Sequence, residues 1–549
     1  MTIDDENNTI TGCIPYLFDR NLVPTFSYPT SCTLSYSYDG GESFTEWDGG
    51  EIDFSAGTVI RVDNGSVSRD YKVNITNTGL PVVVVDQPDG DTDWSYSSGG
   101  GLFSSSSISV ETGLTVWSKA TDFDNITMGN VTVYNADGTI NTEAAGVTRL
   151  RGNTTLDFPK KPFAIKLDSK TSVLGMPAHK RWVLLANMKD RSLMRNHIAF
   201  GVANKFSEIM PSGIPWHPHG EFVELVYNGV HVGHHYLCEQ IKINKNRVDI
   251  QDEYDGESIT ADNVGDFGYL LECDDYYDEN TKFMTKHYIP FQFKDDGDEG
   301  KVILNYVQTK VQAIEDNLYA GFKNQSLDSY KAAYADMHVP SFVDQLLIYE
   351  MTMNSEFGHP RSMYMVMNGK SALACGPVWD FDWLSFPLHN QVQTDLEGSQ
   401  WDRDVNKSLM ATPSHINKHY VKRSGLPTTA VTSDVPYHWY PMLITEENFQ
   451  ELAAERWARI KPHLLAYANE ILVQGERLKL SWEYNNAIWP AYDCEAWRKN
   501  WCNGGYCGDE LFTNYEDVYQ AMYEAYMERL NGMNFVTSKS WPTWTITEK

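Results

Sequence analysis

Two aspartates one residue apart, set among bulky aromatics, are the most chemically specific feature of the chain: Gly376-Pro377-Val378-Trp379-Asp380-Phe381-Asp382-Trp383. On an extended segment, residues i and i+2 face the same side, so Asp380 and Asp382 can converge on one cation. A hard ion such as Mg²⁺ takes one or two carboxylates and completes its shell with phosphate oxygens and water. Like charges in partly dry surroundings are costly without a cation between them. The structural alternative is a solvated turn, which Trp379 and Phe381 argue against. Upstream lie Glu350, Asn354-Ser355-Glu356 and His359-Pro360-Arg361-Ser362-Met363-Tyr364, where Asn354 and Glu356 could complete an acidic cleft.

A second cluster is cationic. Arg151-Gly152-Asn153-Thr154-Thr155 precedes Pro159-Lys160-Lys161-Pro162-Phe163-Ala164-Ile165-Lys166-Leu167, which places four cations within sixteen residues. Arg151, Lys160, Lys161 and Lys166 could gather phosphate oxygens. A sheet edge guarded by lysines is the alternative, and composition alone favours it. Downstream, Phe222–Tyr227 and Val232–Gln240 flank Asn228-Gly229, a pair suited to a type I′ hairpin turn. Gly233 could let a ligand approach the backbone, whereas His234 and His235 read as opposite faces of one strand. A kinase-like site needs a strand lysine beside the nucleotide hairpin, held by a carboxylate such as Glu239. Lys294, which ends the strand Ile289–Phe293, and Lys166 both compete for that role.

The elements that must position these residues follow from periodicity and punctuation. Residues 1–78 hold short β-runs (Thr33–Tyr38, Thr58–Val62, Tyr71–Ile75) separated by Gly/Asp/Ser clusters, a small β-domain with no catalytic constellation. Leu80–Val85 opens a new, fully apolar strand, and Ser97–Ser107 reads as an exposed Gly/Ser loop. Trp182–Asn187 reads as a buried strand leading through a turn to a helix that Asp190 caps. Residues 79–304 are β-rich and residues 305–549 mainly helical. Beyond Thr445 as N-cap, Phe449, Leu452, Trp457, Ile460, Leu464, Tyr467 and Ile471 recur at helical spacing, a core stripe.

The net charge of −30, from 74 acidic and 44 basic residues, repels nucleic acid and anionic lipid at long range. No apolar run is long enough for a membrane helix. None of the eight cysteines falls in CxxC spacing, so a structural zinc site is not expected. Cys13 with Cys32, and a pair among Cys494, Cys502 and Cys507, are the candidate disulfides. The first residues, Met1 to Asn8, lack a signal-peptide pattern, which fits a mature or trimmed chain.

Taken in order, RGNTT…PKKPFAIKL, LGMP…WVLLANMKDRSLMRN, VELVYNGVHVGHHYLCEQI, GYLLE, GPVWDFD and the later Glu455-Arg456-Trp457 resemble the CotH (spore-coat protein H) family over residues 80–535. The leading β-unit is similar to small β-domains that precede this module in secreted bacterial proteins. The resemblance implies an α+β, divergent protein-kinase-like fold, with a β-rich N-lobe and a helical C-lobe behind a small β-sandwich-like domain. It also implies ATP and Mg²⁺ (or Mn²⁺) as cofactors, transfer to serine of a secreted or coat protein, and a secreted, periplasmic or cell-surface location. On this chain Asp380 takes the place of the metal-binding aspartate, Asp382 supports it, and Glu356 stands where a catalytic aspartate is expected. Lys294, Lys166, Glu239, Lys161 and Arg151 become the nucleotide-side residues. The chain departs from the pattern at Asn354-Ser355-Glu356, where Asn-x-Asp is expected, and at Arg361, where a kinase has asparagine. The extra methylene of Glu356 displaces its carboxylate by more than about an ångström, which can cost on the order of a hundredfold in rate.

Both an altered kinase and a nucleotide-binding pseudokinase fit these residues. A second class, an envelope adhesin or scaffold that binds a surface glycan or protein, fits the aromatic content of 13% and the leading β-domain. A glycoside hydrolase acting through Asp380 and Glu356 fits the charge alone.

Overall fold

Val82-Val83-Val84-Val85 offers no polar face to water, and three of these four residues are buried to 1% exposure or less. A strand of that kind needs cover on both sides, and here it closes a barrel. The computed structural model describes residues 2–14, 21–54, 57–88, 123, 126–152, 155, 160–188, 190–213, 215–251, 259–274, 277, 279–294, 300–354, 361–382, 385–386, 392–394, 400–402, 404–411, 438–489 and 514–543. They gather in two units: 1–186 with 222–237 and 477–489, and 187–221 with 238–476 and 490–549. The loop expected over Ser97–Ser107 lies outside the described residues, as do Cys494, Cys502 and Cys507.

The first unit opens with β1 (Thr2–Asp4), β2 (Thr9–Cys13), β3 (Asn21–Leu22), β4 (Thr33–Ser37), β5 (Thr45–Glu46), β6 (Ile52–Asp53), β7 (Val59–Asp63) and β8 (Ser68–Thr76). Six of these form a sheet in the order β1-β2-β8-β7-β4-β5, and β3 pairs with β6. Ile10, Leu34, Ile52, Phe54, Ile60, Val73 and Ile75 make its core, with Trp47 and Tyr71 packed against it. Cys13 and Cys32 are free thiols, so the disulfide considered between them is absent.

The barrel follows: β9 (Val82–Asp86), β10 (Gly129–Tyr134), β11 (Ile140–Leu150), β12 (Phe163–Val173), β13 (Met176–Leu185), β14 (Gly220–Tyr227) and β15 (Val230–Glu239). It closes in the order β10-β11-β12-β13-β15-β14-β9 because β9 pairs antiparallel with β10 and parallel with β14. Asn228 and Gly229 turn the β14–β15 hairpin with φ of 47° and 79°, the left-handed pair that the dipeptide implies. Gly233, at φ 91°, does permit a close approach, but the occupant is protein: a Cβ there would lie 3.0 Å from Asn485 Oδ1. His234 and His235 are both fully buried, His234 against Ser481 and His235 between the carbonyls of Lys161 and Gly233.

The second unit holds α1 (Arg195–Ile209), β16 (Gly268–Cys273), β17 (Lys282–Met284), β18 (Pro290–Phe293), α2 (Gly300–Asn324), α3 (Leu327–Ala335), α4 (Val339–Thr352), β19 (Met363–Asn368) and β20 (Ala374–Cys375). Later come α5 (Tyr440–Leu443), α6 (Glu447–Tyr467), α7 (Asn469–Ile488), whose last twelve residues belong to the first unit, and α8 (Tyr515–Gly532). The five strands order as β17-β18-β16-β19-β20. The compact units therefore do not follow the boundary expected at residue 304. β16 hydrogen-bonds to β19, which arrives only after α4, and so the strands near residue 270 group with the helices. α6 buries Phe449, Trp457, Ile460 and Leu464 as its periodicity required, while Leu452 and Tyr467 of the expected stripe are only half-buried. Its cap is Glu446, whose carboxylate accepts the amides of Asn448 and Phe449. Thr445 instead donates to the Met442 carbonyl. Ile471, expected on the same stripe, is buried from α7.

A buried ion pair ties this unit together. Arg529 Nη2 meets Glu350 Oε2 at 2.6 Å, and Ser408 Oγ and the Leu409 amide donate to the same carboxylate. Removing one partner leaves an uncompensated interior charge, so Glu350→Ala is expected to lower unfolding stability by about 3–5 kcal/mol in urea titrations. In the barrel, burial and then Lys160 hold the His235 pKa down at about 3. The unfolded imidazole takes a proton near pH 6.5 and the folded one does not, so stability rises with pH across that interval. Thermal melts should therefore fall as pH drops from about 6.5 towards 3, and His235→Gln should flatten that slope.

Candidate functional site

The aspartate pair is positioned by the aromatic residues beside it. Trp379 stacks on Phe200 of α1 with ring centroids at 5.7 Å, and Phe381 meets the same ring edge-on at 6.4 Å. Phe381 also meets Tyr349 of α4 at 5.2 Å. Burial alternates along the segment, with Trp379 and Phe381 inside and Asp380 and Asp382 half-buried. The backbone is nevertheless not the plain extended strand the spacing suggested. Asp380 has φ 69°, in the left-handed region that aspartate tolerates better than most residues.

Side chains from α1, the turn before it and the residues just after α4 hold that conformation. Asn196 Oδ1 accepts the Phe381 amide at 2.7 Å, and Asn354 Nδ2 donates to the Asp380 carbonyl at 3.4 Å. Asn196 Nδ2 in turn donates to Asn187 Oδ1 at 3.2 Å, and Asn187 Nδ2 to the Leu193 carbonyl at 2.9 Å. Asp190, fully buried, accepts the Ser192 amide at 2.9 Å, the Arg195 amide at 2.7 Å and Arg195 Nη1 at 2.6 Å. Arg195 Nε then donates to the Ser385 carbonyl at 2.9 Å, beyond the aspartate pair. The N-cap position of α1 is Met194 and not the expected Asp190, but the Asp190 carboxylate accepts the first helical amide and, through Arg195, reaches the segment carrying the aspartates. Sequence periodicity marked this stretch as structural. Its only signal was a density of amide and charged side chains around a buried strand end.

No described residue donates a hydrogen bond or supplies a cation to the Asp380 carboxylate. Among the described residues no cluster of three or more His, Cys, Asp or Glu side chains converges on one point. A cation here would take oxygen from Asp380 and Asp382 and the rest from phosphate or water, a hard donor set that suits Mg²⁺ or Mn²⁺.

Lys294 is on the five-stranded sheet of the same unit, with Nζ 2.8 Å from Glu272 and 2.6 Å from Glu279. Burial works against its charge, but Tyr364, Glu272 and Glu279 outweigh burial and hold its pKa above the ordinary lysine value. Glu239 is fully buried, but its partners are the His219 amide at 3.1 Å, His219 Nδ1 at 3.2 Å and Arg247 Nε at 3.7 Å. The lysine–glutamate pairing considered for Glu239 is therefore made by Arg247 and not by Lys294.

In the first unit Lys166 lies opposite Arg181 on β13. Lys166, Arg181 and Arg149 gather around the Phe123 ring at 5.9, 4.3 and 4.9 Å. Lys161 is buried and its carbonyl faces His235, while the Arg151 amide donates to the Pro162 carbonyl. Glu356, His359 and Pro360 lie outside the described residues. Arg361 is buried, and the neighbouring Ser362 amide donates to Asp274 at 3.2 Å.

A family model described as CotH kinase protein matches residues 148–529, beginning on β11 and ending in α8. The span takes in both aspartates and each of their supports, and it starts later than the residue 80 expected from the motifs. No curated protein matches the chain. Asn196→Ala would leave the Phe381 amide buried without an acceptor, and we expect it to lower unfolding stability by about 1–3 kcal/mol in chemical denaturation.

Proposed function

The chain belongs to the CotH kinase protein family, and from that premise we propose that it binds ATP with a divalent cation and transfers phosphate to a hydroxyl of a secreted or surface protein. The observation that carries this reading is Asp380: a half-buried carboxylate, on left-handed backbone, that no described residue pairs. Elsewhere in its unit buried or part-buried charges are matched, as at Glu350–Arg529 and Lys294–Glu272. A carboxylate kept without a protein partner in such surroundings is suited to a ligand-borne cation. The divalent ion supplies charge neutralisation of the phosphates when bound.

In this reading Asp380 holds the cation and Asp382 supports it. Lys294 or Lys166 contacts the α/β-phosphates, and Lys294 belongs to the same unit as Asp380. Arg151 and Lys161 belong to the same cationic stretch as Lys166. Glu356 accepts the proton of the acceptor hydroxyl as its oxygen bonds to the γ-phosphorus and ADP leaves. The fold would be a divergent protein-kinase-like one, with β-rich and helical lobes and a leading β-sandwich-like domain. The location would be secreted, periplasmic or cell-surface. No helix among the described residues is long and apolar enough to cross a membrane.

One observation favours a second reading. Glu356 replaces the expected aspartate, and Arg361 stands where a kinase has its second metal-binding asparagine. A pseudokinase or envelope scaffold that binds nucleotide without transfer would carry such changes. The test is labelled ATP with Mn²⁺ and a serine-rich acceptor protein. Transfer should fall at least about a hundredfold in Asp380→Ala, and transfer that survives the substitution overturns the assignment. Calorimetric binding of ATP without transfer in the unaltered chain would support the pseudokinase.

A further inference from the structure

His217 lies between α1 and β14 in Trp216-His217-Pro218-His219, a stretch that no motif singles out. Its ring is 6% exposed, and Nδ1 accepts the backbone N–H of Val378 at 3.1 Å. A ring nitrogen accepts only when it carries no proton, so the ring is neutral with its hydrogen on Nε2. Burial, then the neighbouring His219, keeps it so by holding its pKa at about 3.

The contact is close and built from rigid parts. Val378 is 1% exposed, and so its amide has no access to water if the imidazole is lost. Gly376 has φ 109°, and a Cβ there would lie 3.7 Å from His217 Cε1, so the backbone runs against the ring. The ring is held from its own side as well. Pro218 follows it, the Pro218 carbonyl accepts from Asn204 of α1 at 3.3 Å, and the His219 amide is bound by Glu239. Val378 is two residues before Asp380. The loop is thus held at Val378 by His217, at the Asp380 carbonyl by Asn354 and at Phe381 by Asn196.

We propose that His217 is a positioning residue for Asp380: by accepting the Val378 amide it sets the backbone that presents the aspartate to a nucleotide-bound cation. The proposal rests on the reading of Asp380 given above. The stereochemistry supplies a sharp test. Asparagine places Oδ1 where histidine has Nδ1, whereas glutamine carries its oxygen one bond farther out.

His217→Asn and His217→Gln are compared with the unaltered chain by amide exchange over residues 376–382 and by Mn²⁺ titration with ADP present. His217→Asn should keep exchange and Mn²⁺ affinity within about twofold, while His217→Gln should speed exchange and weaken Mn²⁺ about tenfold. Equal loss in both variants would mean generic packing and would overturn the proposal, as would no change in the glutamine variant. If the unaltered chain binds no Mn²⁺, the reading of Asp380 fails and takes the positioning role with it. The exchange pattern then still reports whether the imidazole holds the Val378 amide.

Discussion

The backbone of residues 378–382 is held in a shape that its own preferences would not select, and the candidate site depends on that restraint. A non-glycine residue in the left-handed region costs on the order of 1 kcal/mol or more and persists only when its surroundings over-determine it. Here they do. Trp379 and Phe381 are locked around Phe200, and Asn196 and Asn354 bind the backbone at Phe381 and Asp380. Each such hydrogen bond contributes about 1 kcal/mol net, and together with the aromatic burial they exceed the strain.

That restraint matters because of how charge is distributed. The chain carries 74 acidic residues against 44 basic ones, so most carboxylates cannot find a cationic partner and belong in water. Those taken into the second unit are generally paired. Asp190 has Arg195, Glu350 has Arg529, and Asp344 has Arg456 in a two-bond contact at 2.5 Å. Set against these, the Asp380 carboxylate is conspicuous: half-buried, strained and unpaired among the described residues. Burying a charge without compensation is expensive, and the cation proposed for Asp380 would offset that cost without altering the fold.

Much of this organisation was legible from the residues themselves. The Asn228-Gly229 turn, the apolar strand at Val82–Val85 and the core stripe of α6 each follow from short-range rules, and the structure contains all three. The rules failed where the tertiary fold brought in another partner or where a neighbouring residue competed for the same role. Gly233 read as room for a ligand, but Asn485, far along the chain, occupies that approach. Glu239 read as a partner for a lysine, but Arg247 and His219 reach it through the tertiary fold. Glu446 displaced Thr445 as a helix cap because its carboxylate could reach two amides.

The sequence by itself determined the chemistry available and the family. Hard oxygen donors at Asp380 and Asp382, a run of cations from Arg151 to Lys166, and the order of motifs are properties of residue type and spacing, and the family match over residues 148–529 rests on the same information. Only the tertiary structure decided which carboxylates are neutralised and that the Asp380 carboxylate has no partner among the described residues. It also decided that Asn196, Arg195 and His217 brace the aspartate loop. Periodicity and local propensity describe an element and its neighbours along the chain. Hydrogen bonds between residues more than a hundred positions apart are set by packing, and no local pattern encodes them.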